Sequence, residues 1–210
     1  MFLKKGVLSL DMVNAIIFDL GNVIIKFDET PTFKKWEECG SKSFAEVKKY
    51  HENSSARKAF ERGEITPRQF YSRYTLDLGL KLSYNDFVNN YCDIFTINRE
   101  VEETIKSLKG KVKLVLLSNT NVLQYEYCRR KFKILNLFDG RIASHEVGMR
   151  KPNPLIFLKA VRKAGVLPFN CAYFDDIAEF IYAARCIGIR AFRYKNTEKL
   201  RKDLKKIGVF

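Results

Sequence analysis

Residues 15–23 read Ala-Ile-Ile-Phe-Asp-Leu-Gly-Asn-Val, an apolar run that leads into an aspartate. Four consecutive apolar residues, Ala15 to Phe18, are typical of a strand that is buried on both faces of a parallel sheet. Ligands of open α/β sheets bind beyond the carboxyl ends of the strands, and Asp19 stands at that point. The stretch therefore predicts an α/β fold with Asp19 at its functional edge.

Four more apolar runs, rich in β-branched or aromatic residues, predict the remaining strands of this sheet. These runs are Val112 to Leu117, Arg141 to Ala143, Cys171 to Phe174 and Ile189 to Tyr194. Helical patterns with capping residues lie between the later runs, and Asn98 precedes one of these helices and Asn153 another. Alternating strands and helices predict a Rossmann-like, mostly parallel sheet with helices on both faces.

One long segment interrupts this alternation, because only helical signals follow the first strand. Thr66 and Pro67 open one predicted helix, which runs toward Gly79, and Ser83 with Asp86 opens a second. A small helical cap inserted after the first strand accounts for the interruption.

The predicted domain boundaries follow from these patterns. We expect a catalytic core at 12–27 and 98–210 and a helical cap at 28–97. Residues 1–11 are expected to form a loose N-terminal extension that is too short for a secretory signal. Met12 is the expected native start, because it lies immediately before the first strand.

Composition argues against several classes of protein. The apolar share of 46% is ordinary for a globular chain of 210 residues, and no run of about 18 apolar residues offers a membrane span. The five cysteines are an odd number at wide spacings without a Cys-x-x-Cys pair, which favours neither a disulfide framework nor a zinc site. A reducing cytoplasmic setting is the simplest expectation.

The net charge of +14 is large, and such a field draws anions toward any cleft that it surrounds. Phosphorylated metabolites and nucleic acids both meet this description. No nucleic-acid recognition motif accompanies the charge, so the expected partner is a small phosphorylated metabolite rather than a nucleic acid. The oligomeric state stays open.

Polar groups collect at the predicted carboxyl ends of three strands and on one loop. They are Asp19, Gly21 and Asn22 after the first strand, Ser118 and Asn119 after the second, Asp175 and Asp176 after the fourth, and Lys151 on a loop between the last two groups. Each signal alone is weak, since such residues are common in caps and turns, but the ordered set is much more specific.

This set suits phosphoryl transfer, and each residue has an expected role. Asp19 is the nucleophile and a metal ligand, Ser118 holds phosphate oxygens, and Lys151 balances the charge of nucleophile and phosphate. Asp176, alone or with Asp175, completes a Mg²⁺ site, because carboxylate oxygens are the ligands that this ion prefers. The remaining expected substrate contacts are Asn22 and Asn119.

The motifs resemble those of the haloacid dehalogenase-like (HAD) hydrolase superfamily, specifically subfamily IA, the branch with Asp-x-Gly-Asn-Val in its first motif and a small helical cap. The resemblance covers nearly the whole chain from Ala15 onward. Besides the first motif, it rests on Leu-Leu-Ser-Asn-Thr ending at Thr120, residues 144–154 around Lys151, Phe-Asp-Asp ending at Asp176, and Glu61-Arg62-Gly63-Glu64. The chain looks most like bacterial sugar-phosphate phosphatases of the α-D-glucose-1-phosphate phosphatase kind. This implies Mg²⁺, an aspartyl-phosphate intermediate and water as the final acceptor.

Two positions depart from the pattern of the superfamily. Most of its phosphatases carry an acid two residues after the nucleophile to protonate the leaving oxygen, and this chain has Gly21, whose backbone carbonyl can still bind a metal ion. Four residues after Asp176 the superfamily usually offers Asp or Asn, and here stands Phe180, beside Glu179. Either Glu179 or Asp175 substitutes, or the metal binds weakly, or activity has decayed; lost support around a metal often lowers activity about 10- to 100-fold.

Three functions are compatible with the sequence. The favoured one is a Mg²⁺-dependent phosphohydrolase acting on a small phosphorylated metabolite, with a sugar phosphate as the expected substrate. A catalytically degenerate binding or regulatory protein is motivated by Gly21 and Phe180 together. A 2-haloacid dehalogenase uses the same fold and a nucleophilic aspartate, but the pair Asp175-Asp176 argues for a cation that this reaction does not need.

Several residues of the predicted cap are candidates to line the cleft, although aromatic and arginine side chains at helical spacing more often form cap core or surface. These candidates are Tyr50, Arg57, Phe60, Arg62 and Tyr71. Of the two histidines, His51 is expected on the cap surface. His145, beside Glu146 and near Lys151, is a candidate substrate contact.

Overall fold

The computed structural model describes residues 12–210, so the expectation for residues 1–11 lies outside the described residues. In this range the strands are β1 (Ala15–Phe18), β2 (Ile25–Phe27), β3 (Phe95–Ile97), β4 (Lys113–Ser118), β5 (Gly140–Ala143), β6 (Cys171–Asp175) and β7 (Arg190–Arg193). The helices are α1 (Thr30–Cys39), α2 (Phe44–Asn53), α3 (Ser55–Glu61), α4 (Pro67–Leu78), α5 (Tyr84–Cys92), α6 (Arg99–Leu108), α7 (Val122–Lys131), α8 (Ser144–Val147), α9 (Pro154–Ala164), α10 (Ala178–Cys186) and α11 (Thr197–Lys206).

Five parallel strands form the central sheet, in the order β5-β4-β1-β6-β7. They correspond to the five apolar runs that are predicted to form strands. Parallel neighbours need a crossover between them, and helices supply these crossovers. The predicted α/β fold with a helical cap is confirmed.

The strand β1 lies at the centre of the sheet because its side chains are apolar in both directions. Ile16 and Phe18 belong to the hydrophobic cluster on one face, and Ala15 and Ile17 to the cluster on the other. All four residues are completely buried. Alternate residues of a strand point to opposite faces, so an unbroken apolar run is what two covering layers of helices require.

The carboxyl end of β1 is also where the chain changes direction across the sheet. From β1 the chain adds β4 and β5 on one side and then β6 and β7 on the other. A crevice opens where two such halves part, and ligands of α/β proteins bind there. The ends of β1, β4 and β6 border this crevice with Asp19, Ser118 and Asp175.

A two-stranded antiparallel ribbon of β2 and β3 connects the core to the cap. The expectation of helical signals alone between residues 28 and 97 is wrong at its end, because Phe95–Ile97 forms β3. Strands of three residues are too short to produce a clear alternation of apolar and polar residues. The helices α1 to α5 all lie within 28–97, while the boundaries of the two domains stay predictions.

The cap helices pack around an aromatic core of their own. Trp36 is completely buried and stacks on Phe87 with a centroid distance of 5.3 Å. The start signals of α4 and α5 are confirmed, because the hydroxyls of Thr66 and Ser83 each accept the backbone N–H three residues ahead. The cap is therefore a packed unit that can present fixed side chains to the end of the sheet.

Two other capping expectations have different outcomes. Asn153 caps α9, since its side-chain oxygen accepts the backbone N–H of Leu155 at 3.0 Å. Asn98 precedes α6 as predicted, but its amide donates to the carbonyl of Val23 and to the hydroxyl of Tyr194 instead of capping the helix. Asn98 thus joins three separate parts of the core.

The cysteines are free, and three of them are buried. Burial raises the pKa of Cys92, Cys128 and Cys171 to about 12, so these thiols stay protonated and pack as small apolar side chains. The described helices include none with the length and apolar character needed to cross a bilayer.

Candidate active site

The loop after β1 carries the predicted nucleophile. Asp19 is 7% exposed, and its backbone N–H donates to the carbonyl of Phe174 on β6 at 2.9 Å. Asn22 adopts a left-handed conformation with a φ of 55°, which asparagine tolerates better than most residues. Its N–H donates to the carbonyl of Ile25 at 2.8 Å and closes the turn. The backbone on both sides of the nucleophile is therefore held by hydrogen bonds.

Lys151 is the centre of the buried charges at this edge of the sheet. Its side chain is 1% exposed, and its ammonium lies 2.6 Å from Asp19 Oδ1 and 2.6 Å from Asp175 Oδ2. The ammonium also donates to the backbone carbonyl of Leu117 at 3.3 Å. A buried charge is unfavourable without such partners. Lys151 thereby connects the ends of β1, β4 and β6.

The loop that carries Lys151 is attached to the end of β4 by Asn119. The side chain of Asn119 accepts the backbone N–H of Lys151 at 2.8 Å and donates to its carbonyl at 3.0 Å. Thr120 is held in the same way by the hydroxyl of Ser144, which accepts from its N–H and donates to its carbonyl. These bonds immobilise the segment that begins at Ser118, which is itself buried.

Asp175 is completely buried, and both of its carboxylate oxygens have partners. Oδ1 accepts the backbone N–H of Ile177 at 2.8 Å, and Oδ2 accepts from Lys151 and from the hydroxyl of Tyr173. Tyr173 lies two residues earlier on β6, so the two side chains share one face of the strand. This arrangement favours a role of Asp175 in positioning Lys151 over direct binding of a metal ion.

Three carboxylates lie close enough together to hold a cation. Asp19, Asp175 and Asp176 each offer an oxygen, and these oxygens lie within 4.8 Å of one another. Asp176 accepts from the amide of Asn22 at 3.2 Å, so a residue predicted to contact substrate orients this carboxylate. Clustered carboxylate oxygens are the hard ligands that Mg²⁺ prefers, and the residues present therefore fit this ion.

The charges of this cluster affect one another strongly. Burial raises the pKa of Asp19 to about 7, a rise that the Lys151 ammonium opposes and the Asp175 carboxylate increases. Burial likewise raises the pKa of Asp176. For Lys151, burial lowers the pKa, but the charges of Asp19 and Asp175 outweigh it and leave the pKa above its ordinary value. The excess of carboxylates over ammonium favours the binding of a cation.

Phe180 contacts the same lysine from α10. The centroid of its ring lies 5.0 Å from Lys151 Nζ, and that of Tyr173 lies 5.8 Å away. Both distances are within the range of cation–π interaction. The residue that departs from the superfamily pattern therefore has a specific contact with the buried ammonium.

A cavity of about 340 Å³ lies over this edge of the sheet. Its lining includes all but one of the predicted site residues: Asp19, Gly21, Asn22, Ser118, Asn119, Lys151 and Asp176. Phe27 of the ribbon also lines it, and a Cβ on Gly21 would come within 3.2 Å of the Phe27 ring. The ring occupies the space that a side chain at position 21 would need, so glycine is favoured there by this close approach.

The cap contributes a charged wall to the cavity. Glu61 Oε2, at the end of α3, lies 2.6 Å from Arg150 Nε, and Glu61 Oε1 lies 3.9 Å from a terminal nitrogen of Arg57. Glu29 lines the cavity as well, and its Oε1 lies 3.0 Å from Nε2 of His51. Because Glu61 belongs to a cap helix and Arg150 to the loop of Lys151, their ion pair joins cap and core.

The turn after α3 docks closely on the core. Gly63 has a φ of 70°, and a Cβ there would collide with the backbone carbonyl of His145. Both the left-handed conformation and the close approach require glycine. This contact holds the end of α3, and with it Glu61, beside Arg150.

Of the five cap residues named as candidates to line the cleft, one does so, and the other four have the core or surface positions that are more common for such residues. Arg57 lines the cavity, whereas Phe60 lies in the cap core and Tyr50, Arg62 and Tyr71 bond to Asp77, Glu64 and the Leu82 carbonyl. The surface position expected for His51 is wrong: it is 1% exposed, with Nδ1 hydrogen-bonded to the Tyr74 hydroxyl and Nε2 in an ion-pair contact with Glu29 at 3.0 Å. His145 contacts the carbonyl of Thr120 and is absent from the described cavity lining.

The lining also includes residues outside the predicted site set, and four of them carry charge or an exposed ring: Phe27, Glu29, Glu61 and Arg150. Two of them have a signal in the sequence, since Glu61 begins the Glu-Arg-Gly-Glu stretch and Arg150 precedes Lys151. Phe27 and Glu29 have none. Their place in the cavity depends on a ribbon too short to be recognised from sequence and on the helix that follows it.

Comparison with known proteins agrees with this architecture. The family model for haloacid dehalogenase-like hydrolases matches residues 13–188, and the chain belongs to this family. Among curated proteins, D-ribitol-5-phosphate phosphatase of Bacteroides thetaiotaomicron is 24% identical over 201 residues, which cover 92% of this chain and 97% of that protein. The predicted membership of the HAD-like hydrolases is confirmed.

Two solved structures share the fold over nearly the whole chain. A predicted HAD-like family hydrolase from Porphyromonas gingivalis has a TM-score of 0.81 at 24% identity, with 93% of this chain and 98% of that chain covered. A HAD family enzyme from Bacteroides thetaiotaomicron, in its magnesium complex, has a TM-score of 0.77 at 26% identity, with 88% and 94% covered.

Proposed function

We propose that this chain is a Mg²⁺-dependent phosphatase that hydrolyses the phosphate ester of a small metabolite through an aspartyl-phosphate intermediate on Asp19. The observation that carries the proposal is the buried Lys151, whose ammonium bridges Asp19 and Asp175 at 2.6 Å each. A nucleophilic carboxylate beside a fixed cation, at the switch point of a parallel sheet, suits attack on an anionic phosphoryl group.

Mg²⁺ is the cofactor that suits the acidic cluster. We propose Asp19, Asp176 and the backbone carbonyl of Gly21 as its ligands, with Asp175 as a further candidate whose oxygens already have other partners. When bound, the ion neutralises part of the negative charge of the phosphoryl group. The magnesium complex of the related HAD enzyme supports this choice.

The residues of the chain account for two chemical steps. An oxygen of Asp19 bonds to phosphorus while the bond from phosphorus to the alcohol oxygen breaks; the alcohol leaves with that electron pair and takes up a proton. Water then attacks the phosphorus of the aspartyl phosphate, which releases inorganic phosphate and restores the carboxylate. Ser118 and nearby backbone N–H groups hold the phosphoryl oxygens, and Lys151 offsets their charge.

Position 21 offers no acid to the leaving oxygen, because glycine has no side chain, and the Phe27 ring lies 3.2 Å from where a Cβ would stand. The proton therefore comes from water or from the cap side of the cavity. Oxygens that leave easily, such as the anomeric oxygen of a sugar or a carboxylate oxygen, suit this site better than a simple alkoxide.

A sugar or polyol phosphate is the narrowest substrate class that we propose. The motifs resemble those of sugar-phosphate phosphatases in subfamily IA, and a relative of similar length is named for its action on D-ribitol 5-phosphate. The net charge of +14 favours the approach of any anionic substrate. A cytoplasmic setting, where such metabolites occur, stays a prediction.

The two alternatives are less consistent with particular contacts. A degenerate binding protein is motivated by Gly21 and Phe180, yet Phe180 packs on the Lys151 ammonium and Gly21 makes room for Phe27. A 2-haloacid dehalogenase needs no metal, whereas the carboxylates at the strand ends leave negative charge that a cation would neutralise.

Phosphate release from a panel of sugar phosphates, acyl phosphates and nucleotides, with and without Mg²⁺, tests the proposal. We expect Mg²⁺-dependent release by the wild type and a loss of about 10³-fold or more in Asp19→Asn. The control Asp86→Asn, at an exposed position of α5, should keep the wild-type rate. Folded wild-type protein that releases phosphate from none of these compounds would overturn the proposal in favour of a binding role.

A further inference from the structure

We infer that the cavity selects phosphate esters of uncharged, hydroxyl-rich alcohols, and that Glu61 and Phe27 make this selection. The inference rests on the proposed function, because it concerns the alcohol part of the same substrate. It uses residues outside the catalytic cluster, since Glu61 belongs to the cap and Phe27 to the ribbon.

Polar atoms without hydrogen bonds concentrate on the cap-side wall. Among residues 12–210, six buried side-chain nitrogen or oxygen atoms lack a hydrogen-bond partner, and three of these are Arg57 Nε, Glu61 Oε2 and Arg150 Nε. The latter two lie 2.6 Å apart and form an ion pair, so each already has a charged partner. Arg57 Nε has no such partner, and Glu61 Oε2 keeps a second lone pair, so a ligand that bonds to this wall would complete these bonds.

The chemistry of these three atoms indicates hydroxyl groups. A carboxylate oxygen only accepts hydrogen bonds, and an arginine nitrogen only donates them. A hydroxyl group does both, so one hydroxyl can donate to Glu61 and accept from Arg57 or Arg150 at the same time. A second phosphate or a carboxylate on the ligand accepts only, and it would compete with Glu61 for the arginines.

The charges of this wall also oppose a second anionic group. Two glutamates, Glu29 and Glu61, stand beside the two arginines that line the cavity. Burial raises the pKa of Glu29, but the hydrogen bond and charge of His51 outweigh it, so the net pKa is lowered and the carboxylate stays ionised. An extra anion that separated Arg150 from Glu61 would leave a buried carboxylate without its partner, which is strongly unfavourable.

Phe27 supplies an apolar surface in the same cavity. It is 40% exposed, lines the cavity, and packs edge-on against Phe95 with a centroid distance of 6.3 Å. Its ring lies next to Gly21, two residues from the nucleophile, where the alcohol leaves. The C–H groups of a sugar or polyol can pack on this ring while its hydroxyls bond to the charged wall.

A matched pair of esters tests the selection. Glucose 6-phosphate and 6-phosphogluconate have the same number of carbons, but only the second carries a carboxylate, and p-nitrophenyl phosphate reports on the catalytic cluster. We expect the wild-type kcat/KM for glucose 6-phosphate to exceed that for 6-phosphogluconate by about tenfold or more. This measurement needs no variant.

Glu61→Gln should lower this ratio by about tenfold, mainly through a smaller KM for 6-phosphogluconate, because the repelling charge is removed while the shape is kept. Glu64→Gln is the matched control: it makes the same change of charge in the same turn, at a residue that pairs with Arg62 and is exposed. Its ratio should equal that of the wild type.

Phe27→Leu should lower kcat/KM for glucose 6-phosphate about 2- to 10-fold through KM, because an aromatic contact is lost. Phe169→Leu, at a partly exposed phenylalanine that does not belong to the described cavity lining, should have no effect. An unchanged KM for glucose 6-phosphate in Phe27→Leu would show that Phe27 does not contribute to the selection.

The outcomes separate this inference from the proposed function. A wild-type preference for 6-phosphogluconate, or a Glu61→Gln ratio equal to that of the wild type, overturns the inference. If the wild type but not Asp19→Asn then hydrolyses p-nitrophenyl phosphate, the proposed function still stands. Release from none of the three esters overturns both.

Discussion

The sheet side and the cap side of the cavity hold their charges in different ways. On the sheet side, the side chains of Lys151 and Asp19 are 1% and 10% exposed and lie 2.6 Å apart. On the cap side, Glu61 is 11% exposed, while Arg57 and Arg150 are each 25% exposed, and one of their two contacts with Glu61 is 3.9 Å long. The charges proposed to act on the reacting atoms are thus buried and closely paired, whereas those proposed to meet the variable part of a ligand are more exposed and more loosely paired.

Substitutions on the two sides of the cavity should therefore impair hydrolysis in two different ways. Damage on the sheet side should slow hydrolysis of every ester by a similar factor, because all substrates share the phosphoryl group. Damage on the cap side should change the preference among esters, because only the alcohol part reaches that wall.

The largest effect is expected from Lys151→Met, which removes the ammonium and leaves two buried carboxylates unpaired. We expect kcat to fall about 10²- to 10³-fold for all esters alike, p-nitrophenyl phosphate included. Lys159→Met, at an exposed position of α9, is the matched control and should match the wild type. A decrease confined to one ester would contradict the division between the two sides.

Gly21→Asp should lower activity although it restores the residue type common in the superfamily. The new side chain would displace the Phe27 ring, which lies within 3.2 Å of its Cβ position, and a small displacement near the reacting atoms often costs about 10²-fold in rate. The double variant Gly21→Asp/Phe27→Ala should recover part of this loss in the same assay. A Gly21→Asp variant more active than the wild type would disprove the steric role of the ring.

Magnesium should stabilise the protein because it binds an excess of carboxylates. At ten times its Kd, a ligand adds about 1.4 kcal/mol of stability, which for a chain of this size raises Tm by about 3–5 °C. We expect this rise in thermal melts against a chelator control, and its loss in Asp176→Asn but not in Asp86→Asn. An equal rise in all three proteins would mean that the ion binds elsewhere.

Tyr173→Phe should have the smallest effect of these changes. It removes one hydrogen bond to Asp175 but keeps the ring beside Lys151, so we expect kcat to fall about fivefold with KM unchanged and unfolding free energy to decrease by about 1 kcal/mol. Tyr182→Phe is the control, because Tyr182 is 71% exposed on α10. Wild-type kcat in Tyr173→Phe would show that Asp175 holds the lysine without this support.

The sheet side could be predicted from the sequence because each of its residues follows a strong local pattern. Asp19 comes directly after four buried residues, and Ser118 and Asp175 end runs of the same kind. Parallel strands bring their carboxyl ends to one edge, so a list of strand ends is nearly a list of site residues. Lys151 lies on a loop that no strand end marks, and it is predicted as the cation between two groups of strand-end residues.

The cap side could not be predicted in this way. Glu61 and Arg150 are far apart in the chain, and their contact depends on how the turn at Gly63 docks against His145. His51 is predicted on the cap surface, because a histidine in a polar helix is usually exposed. Its burial depends on contacts with Tyr74 and Glu29, which lie elsewhere in the chain.

The sequence by itself determined the five strands of the central sheet, the capped starts of α4 and α5, the family, and the edge of the sheet where the polar residues collect. These features depend on apolar periodicity and on residues within a few positions of one another, so they are visible in the sequence itself. Only the tertiary structure decided that Phe27 stands beside Gly21, that both oxygens of Asp175 are used, and that Glu61 faces two arginines. Such contacts join distant segments, and their energies depend on burial and distance that no local pattern encodes.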